Sequence, residues 1–529
     1  MLSVTYSAAA YGIDGYEVTV ECSAKRGLPL FEIVGLPDAA VRESEKRLFT
    51  GSENCGLAIP PAEISVNLAP ADKKKEGTAL DLAMLVAIYK CCGYLTVDTD
   101  AMSFIGEISF TGDVRPVRGA LGMTIAAIDS GRTAIFVPAA NLREASVACR
   151  EGVSIYGVDH IHTLLDHLTG RQTIAPTEGN PYDALVSHVT SEDFSQVKGQ
   201  YRAKRAMITA AAGGHNILLI GPPGSGKSML SKRLPTILPK MSYEEALEAT
   251  KIYSSAGMLS DELPFVLERP FRSPHHSLST AALVGGGKVP SPGEISLSHH
   301  GVLFLDEFPE FRKDALEALR QPLEDRCVTI TRAAGRVTYP SSFMMVCAMN
   351  PCPCGYYGSR NGKCTCKPAD IHMYLQKISG PMLDRIDIQV EMPELDFREL
   401  SEPVPSEPSA AIRERVEAAR EISRERFRLA GLKDYALRSN ARMESEELNR
   451  FCELDDEGKQ VMESVFRKIN LSARGYDRIL RVARTLADLE AAESGEKGLA
   501  EEDGIPGGKI HKRHITEAAQ MRALDRKYF

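Results

Sequence analysis

NILLIGPPGSGKS, residues 216–228, decides the fold, because an apolar strand runs straight into Gly-x-x-x-x-Gly-Lys-Ser. Gly221, Gly224 and Gly226 let backbone N–H groups curl round phosphates with no side chain in the way, and the helix that follows aims its positive end at them. Pro222, Pro223 and Ser225 make up the rest of the cradle. Lys227 reaches the outer phosphates, and the Ser228 hydroxyl is placed to hold magnesium. Further along, VLFLDE (302–307) is a second apolar strand ending in Asp306 and Glu307. Asp306 would finish the magnesium shell, and Glu307 beside it could polarise the attacking water. The pair of strands predicts a chain that binds and hydrolyses a nucleoside triphosphate, with hydrolysis resting on Glu307.

A third apolar strand, VCAMN (346–350), ends in Asn350, whose amide could position the lytic water against the γ-phosphate. Upstream, VKGQ (197–200) precedes the helical run YRAKRAMITAAAGG and sits where many ring ATPases contact adenine, which makes Gln200 a candidate. SGPMLDRID (379–387) puts Arg385 after an Asp on a short helix, and SARGYDRILRVARTLADL (472–489) carries Arg474, Arg478 and Arg481. An arginine supplied across a subunit interface stabilises charge on a transferring phosphoryl group. A surface salt bridge is the alternative for each.

The 529 residues are 43% apolar and 25% charged, an ordinary globular composition with room for two to four domains. A net charge of −8 argues against indiscriminate coating of nucleic acid but leaves a basic channel open. The N-terminus has no basic start, and no apolar run approaches membrane length, so a cytoplasmic protein with no membrane partner is expected. The 12 cysteines then read as thiols or metal ligands rather than a disulfide framework.

Alternating β-rich and helical segments predict an α/β domain over 1–170, followed by a Thr/Gly/Pro-rich linker over 171–190. The nucleotide core should run over 191–393 and a helical region over 394–529, with a flexible insertion at 491–508. Within the core, Cys352, Cys354, Cys364 and Cys366 form C-x-C…C-x-C directly after Asn350. Four thiolates suit a closed tetrahedral zinc site; buried or free thiols are the alternative. His275 and His276 read as part of an inserted loop rather than as ligands, and KIHKRH (509–514) as a solvated tail before a last helix.

The run from DFSQVKGQ through GPPGSGKSML, with RPFRSPHHSLSTAALVGGGKVPSPGEISLSHHGVLFLDEFPEF and AMNPCPCGYYGS, resembles the magnesium-chelatase-like AAA+ proteins of the bacterial YifB/ComM type. GLPLFEIVGLPDAAVRES and VNLAPADKKKEGTALDLAM resemble that family's Lon-like (ribosomal S5 domain 2-like) N-terminal domain. The resemblance implies an α/β AAA+ P-loop core, a Lon-like α/β domain and a helical C-terminal lid. It further implies ATP and Mg2+ as cofactors, a homo-hexameric ring and DNA, single-stranded or branched, as the partner of a branch-migration helicase in recombination or natural transformation. On it, Arg385 becomes the arginine finger acting in trans and Arg474 the second sensor, with Arg478 as the fallback.

In related ring ATPases a hairpin just before the first sensor projects into the pore. VTITRAAGRVTYP (328–340) would be that hairpin, with Arg332 and Arg336 at its tip, and 275–288, ending in GGGK, a second mobile loop carrying Lys288. Such cations could grip phosphates without reading sequence; solvated surface charge is the alternative. True chelatase ATPase subunits lack the Lon-like domain, which disfavours porphyrin metallation. In Lon-type peptidases a Ser–Lys dyad does the chemistry, and alignment puts Ala79 and Met123 at those positions, so 1–170 reads as noncatalytic. Two rivals stand beside the DNA motor: an ATPase that remodels proteins or cofactor complexes, and a nucleotide-gated scaffold.

Overall fold

In the computed structural model, residues 2–177, 192–260, 263–287, 290–332, 335–359, 363–394, 406–469, 471–494 and 506–522 are described, with Ser401, Leu524 and Tyr528. Three sequence expectations fall outside them: Lys288, most of the linker expected over 171–190 and most of the insertion expected at 491–508.

The core is a five-stranded, all-parallel sheet in the order Phe271–Arg272, Val302–Leu305, Met344–Met349, Ile217–Ile220, Ile388–Glu391. Three of these strands are buried at every position, as continuous Val/Ile/Leu/Met runs covered on both faces must be. The strand Ile217–Ile220 lies between Met344–Met349 and Ile388–Glu391, so the loop leaving its carboxyl end emerges where the chain order reverses. Open α/β sheets bind ligands at such a point.

The N-terminal unit has a four-stranded sheet (Leu2–Tyr11, Asp14–Lys25, Glu63–Ala69, Leu30–Val34 in spatial order) and a three-stranded parallel one (Met102–Phe104, Ala134–Pro138, Ser154–Val158). Its helix Asp81–Cys91 is buried at every position but Lys90, as a helix apolar all round must be. Ala79 and Met123 are also buried, in an apolar cluster shared with Ala249, Ile252 and Tyr253 of the core helix Tyr243–Ala256. The surface where a peptidase would hold its dyad is therefore packed against the ATPase core. Around it, Lys251 pairs with Asp14 at 2.9 Å and Gly119 N–H donates to Ser254 O.

Helices Ser409–Leu429 and Ala473–Ser494 pack on each other and on the core helix Tyr201–Gly213. Inside that contact Arg426 and Asp488 form a fully buried ion pair of 2.5 Å. KIHKRH departs from the expected solvated tail. Ile510 and His514 are buried, Lys512 and Arg513 pair with Glu457 and Glu490, and the helix Lys512–Gln520 packs against Ala473–Ser494.

Candidate nucleotide site

The strand-to-helix turn behaves as its glycines require: Gly224 and Gly226 have φ of 78° and 91°, and the helix Lys227–Ile237 starts at once. The Lys227 ammonium donates to Gly221 O at 2.7 Å, Pro222 O at 2.9 Å and Asn350 Oδ1 at 3.2 Å. Burial lowers its pKa from the usual 10.5 to about 8, with Asp306 pulling the other way. Ser228 Oγ donates to Asp306 Oδ2 at 2.6 Å, so the hydroxyl and carboxylate that a magnesium ion would share already meet. Glu307 N–H donates to Asp306 Oδ1 at 2.9 Å. Gln200 is buried and spent on structure: its amide donates to Ser225 O at 3.2 Å and Pro393 O at 2.8 Å, bracing the loop from behind.

The four cysteines lie against this loop. Cys352, Cys354 and Cys364 sulfurs are 3.3–3.8 Å apart, and Cys366 Sγ lies within 4.8 Å of them. Thiolates on one tetrahedral zinc, each bonded at about 2.3 Å, would sit at roughly this spacing. Tyr357 N–H donates to Cys352 Sγ at 3.3 Å. Desolvation works to raise the Cys354 thiol, but the backbone N–H groups of Tyr356 and Thr365 together with the Cys352 and Cys366 side chains outweigh it and bring it down to about 6. The donor set therefore fits zinc. Gly355 in this turn has φ of 85°, and a Cβ there would stand 2.6 Å from Pro223 Cδ, so the cysteine turn and the phosphate loop touch.

A second group, Glu248 with His299 and His300, has metal-like proximity but the wrong tautomer. His299 Nδ1 accepts Ser342 N–H at 2.8 Å, so the ring carries its proton on Nε2 and donates it to Glu248 at 3.1 Å. Burial holds this imidazole neutral, down to about 4. The group is a clamp between the helix Tyr243–Ala256 and the start of the Val302–Leu305 strand.

Arg385 and Arg474 lie elsewhere. Arg385 precedes the amino end of the Ile388–Glu391 strand, at the edge of the parallel sheet opposite the phosphate loop. There a cavity of about 330 Å³ is lined by Arg326, Arg385, Arg442, Arg474, Arg478 and Arg481, among others. Arg385 pairs with Glu324 and donates to Pro381 O at 2.6 Å, whereas Arg474 at the start of its helix is exposed. Arg478, the fallback sensor, lines the same cavity. It is buried and paired with Asp384 at 3.6 Å and Asp387 at 3.5 Å, tying the helical region to the core.

The strands Cys327–Arg332 and Gly335–Pro340 form the expected hairpin, with Arg332 and Arg336 exposed near its turn. The second loop is more structured than expected: a helix, Thr280–Val284, then Gly285–Gly286 paired with Ser291–Pro292. The two pieces touch, since Tyr339 Oη donates to Pro290 O at 2.9 Å. Sequence reasoning missed one contact at the site: His276 Nδ1 lies 3.0 Å from Glu307 Oε2. The adjacent histidines ahead of the insert were the only signal.

Three family models match successive stretches: "Magnesium chelatase, subunit ChlI" over 193–400, "Subunit ChlI of Mg-chelatase" over 20–141, and "Magnesium chelatase, subunit ChlI C-terminal" over 406–502. The chain is 40% identical over 527 residues to YifB of Escherichia coli K12, covering 99% of this chain and 98% of that one. The chain belongs to the magnesium-chelatase-like YifB/ComM family. It is also 39% identical over 534 residues to the competence protein ComM of Haemophilus influenzae, covering 99% and 98%. An uncharacterized protein of Mycobacterium tuberculosis H37Rv matches at 40% over 495 residues, 93% of this chain and 96% of its own. The mixed α/β architecture with its parallel core sheet is that of the family's AAA+ ATPase core. Among the described residues of this YifB/ComM-type chain, no helix is long and apolar enough to cross a membrane.

Proposed function

We propose that the chain is a cytoplasmic ATP-hydrolysing motor that assembles as a homo-hexamer and moves DNA strands, as a branch-migration helicase would. The observation that carries the ATPase part of this reading is the contact set Lys227–Asn350 and Ser228–Asp306 at the carboxyl edge of the parallel sheet, while the ring and the DNA rest on the family membership. Gly221, Gly224 and Gly226 with Lys227 would cradle the triphosphate of ATP, and Ser228 and Asp306 would hold magnesium, which neutralises charge on the β- and γ-phosphates. Glu307 takes a proton from the attacking water, and Asn350 orients that water. Arg385 and Arg474, remote from the phosphate loop of their own chain, serve the nucleotide of the neighbouring copy, Arg385 as finger and Arg474 as second sensor.

Cys352, Cys354, Cys364 and Cys366 hold zinc, and their contact through Gly355 keeps the phosphate loop against Asn350. Arg332 and Arg336 hold the DNA backbone from the hairpin. The name of the Haemophilus relative, a competence protein, supports natural transformation as the setting. The test is the steady-state ATPase rate with and without single-stranded and four-way DNA, using Glu307→Gln as the blank. Stimulation, greatest with branched DNA, is expected. A brisk rate indifferent to any DNA would replace this reading with the remodelling ATPase.

A further inference from the structure

We propose that the turn Tyr11–Asp14 of the N-terminal unit is a positioning brace for the core hairpin Cys327–Pro340, setting where Arg332 and Arg336 stand. What the brace does for DNA rests on the role given to those arginines above; the brace itself does not. The turn joins the strands Leu2–Tyr11 and Asp14–Lys25, and Gly12 at its first central position has φ of 67°, where a type II′ turn places glycine. Tyr11 Oη donates to Arg336 O at 2.7 Å, across 325 residues of chain. A Cβ on Gly12 would lie 2.8 Å from Val337 Cγ1, so the glycine rests directly on the hairpin.

The hairpin needs such a support. Among the described residues its two strands pair only with each other, and an isolated two-stranded ribbon is marginally stable in water. One face supplies burial: Val328, Ile330, Val337 and Tyr339 are buried, and Tyr339 Oη reaches Pro290 O. That burial stops at the cross-strand pair Ile330–Val337, since Thr331, Arg332 and Arg336 beyond it are exposed. Tyr11 and Gly12 meet the hairpin at this boundary, on Arg336 and Val337. Without them the tip would be hinged on its last buried pair.

The turn is itself fixed on several sides. A Cβ on Gly122 would lie 2.7 Å from Ile13 O, which seats the turn on the helix Ala120–Asp129 of its own unit. The Ile13 side chain packs both on the apolar cluster that holds Ile330, Val337 and Tyr339 and on the one that holds Ala249, Ile252 and Tyr253. Asp14 pairs with Lys251 of the helix Tyr243–Ala256 at 2.9 Å; with the Asp14 side chain 65% exposed, this pair orients the turn more than it stabilises it. The same helix carries Glu248, 2.8 Å from the His300 ring just ahead of the strand Val302–Leu305. The element that braces the hairpin tip is thus mounted on the helix that also clamps the strand leading to Asp306 and Glu307.

The experiment is amide hydrogen exchange over residues 327–340 of the full-length chain as wild type, Tyr11→Phe and Gly12→Ala, beside ATP hydrolysis with and without four-way DNA. Tyr11→Phe removes the hydroxyl alone, and Gly12→Ala sets a methyl group against Val337. Exchange over 327–340 is expected to rise about threefold in Tyr11→Phe, within what one neutral hydrogen bond weighs in a local opening. It should rise about tenfold in Gly12→Ala, which adds the strain of a left-handed alanine to the clash. Basal hydrolysis should stay that of the wild type, and stimulation by DNA should fall in both variants. Unchanged exchange over 327–340 in both variants, a rise no larger there than over 2–25 of the N-terminal unit, or full DNA stimulation from a loosened hairpin would each overturn the proposal. A wild type whose hydrolysis ignores DNA would instead overturn the role given to Arg332 and Arg336, and the exchange would still decide the brace.

Discussion

The two edges of the core sheet differ in what they need from outside the chain. At the carboxyl edge, Lys227, Ser228, Asp306 and Asn350 already touch one another, so the groups that would surround a triphosphate and its metal are preorganised by one chain. At the amino edge, arginines crowd a cavity that contains no phosphate loop. Like charges there are held apart by acids: Asp384 and Asp387 take up Arg478, and Glu324 takes up Arg385. One edge looks inward to its own ligand, and the other suits an anion carried by a neighbour. Burial brings Arg442 and Arg478 each down to about 10, and an incoming polyanion would relieve that strain.

The contrast can be broken by substitutions whose effects should rank in order. Lys227→Ala should reduce turnover to that of the Glu307→Gln blank and abolish ATP binding, read by titration with a fluorescent nucleotide. Arg385→Ala should cost on the order of 10³-fold in kcat, the low end for an arginine finger, while leaving ATP affinity almost unchanged. If affinity and rate fell together, the amino edge would be acting on its own chain's nucleotide. Arg478→Ala should act on stability instead. Removing the guanidinium leaves Asp387 with the Asn216 N–H and His215 as its remaining partners, for a loss of about 1–3 kcal/mol by chemical denaturation, which some exposure at Asp384 reduces.

The smallest effect is a proton. With Lys227 lowered to about 8, the free protein is mostly deprotonated there above that pH, and an anionic phosphate favours the charged form. ATP binding should therefore take up a fraction of a proton at pH 9 and almost none at pH 6.5. Calorimetry in two buffers of different ionisation heat reads this directly. Proton release at pH 9 would contradict the sign.

Much of the carboxyl edge was legible because its chemistry is written in consecutive residues. GPPGSGKS and VLFLDE each join an apolar strand to polar ligands at its end, and the strand period places those ligands at one edge without further information. The hairpin was readable for the same reason. The amino edge was legible only as separate arginines, since nothing local says that Arg385 and Arg474 line one cavity or that Arg478 is consumed by Asp384 and Asp387. The His276–Glu307 pair was hidden likewise, because it depends on which strands are neighbours. The docking of Ala79 and Met123 on the helix Tyr243–Ala256 depends on burial between domains, which composition cannot report.

Mixing two inactive variants tests the division of labour between the edges most directly. Glu307→Gln keeps a sound amino edge, and Arg385→Ala keeps a sound carboxyl edge, so random rings of both should restore catalysis at roughly a quarter of interfaces. The measurement is the ATPase rate of an equimolar mixture against each variant alone. Recovery to about a quarter of the wild-type rate is predicted. A mixture no faster than its components would mean that Arg385 does not serve a neighbour's nucleotide.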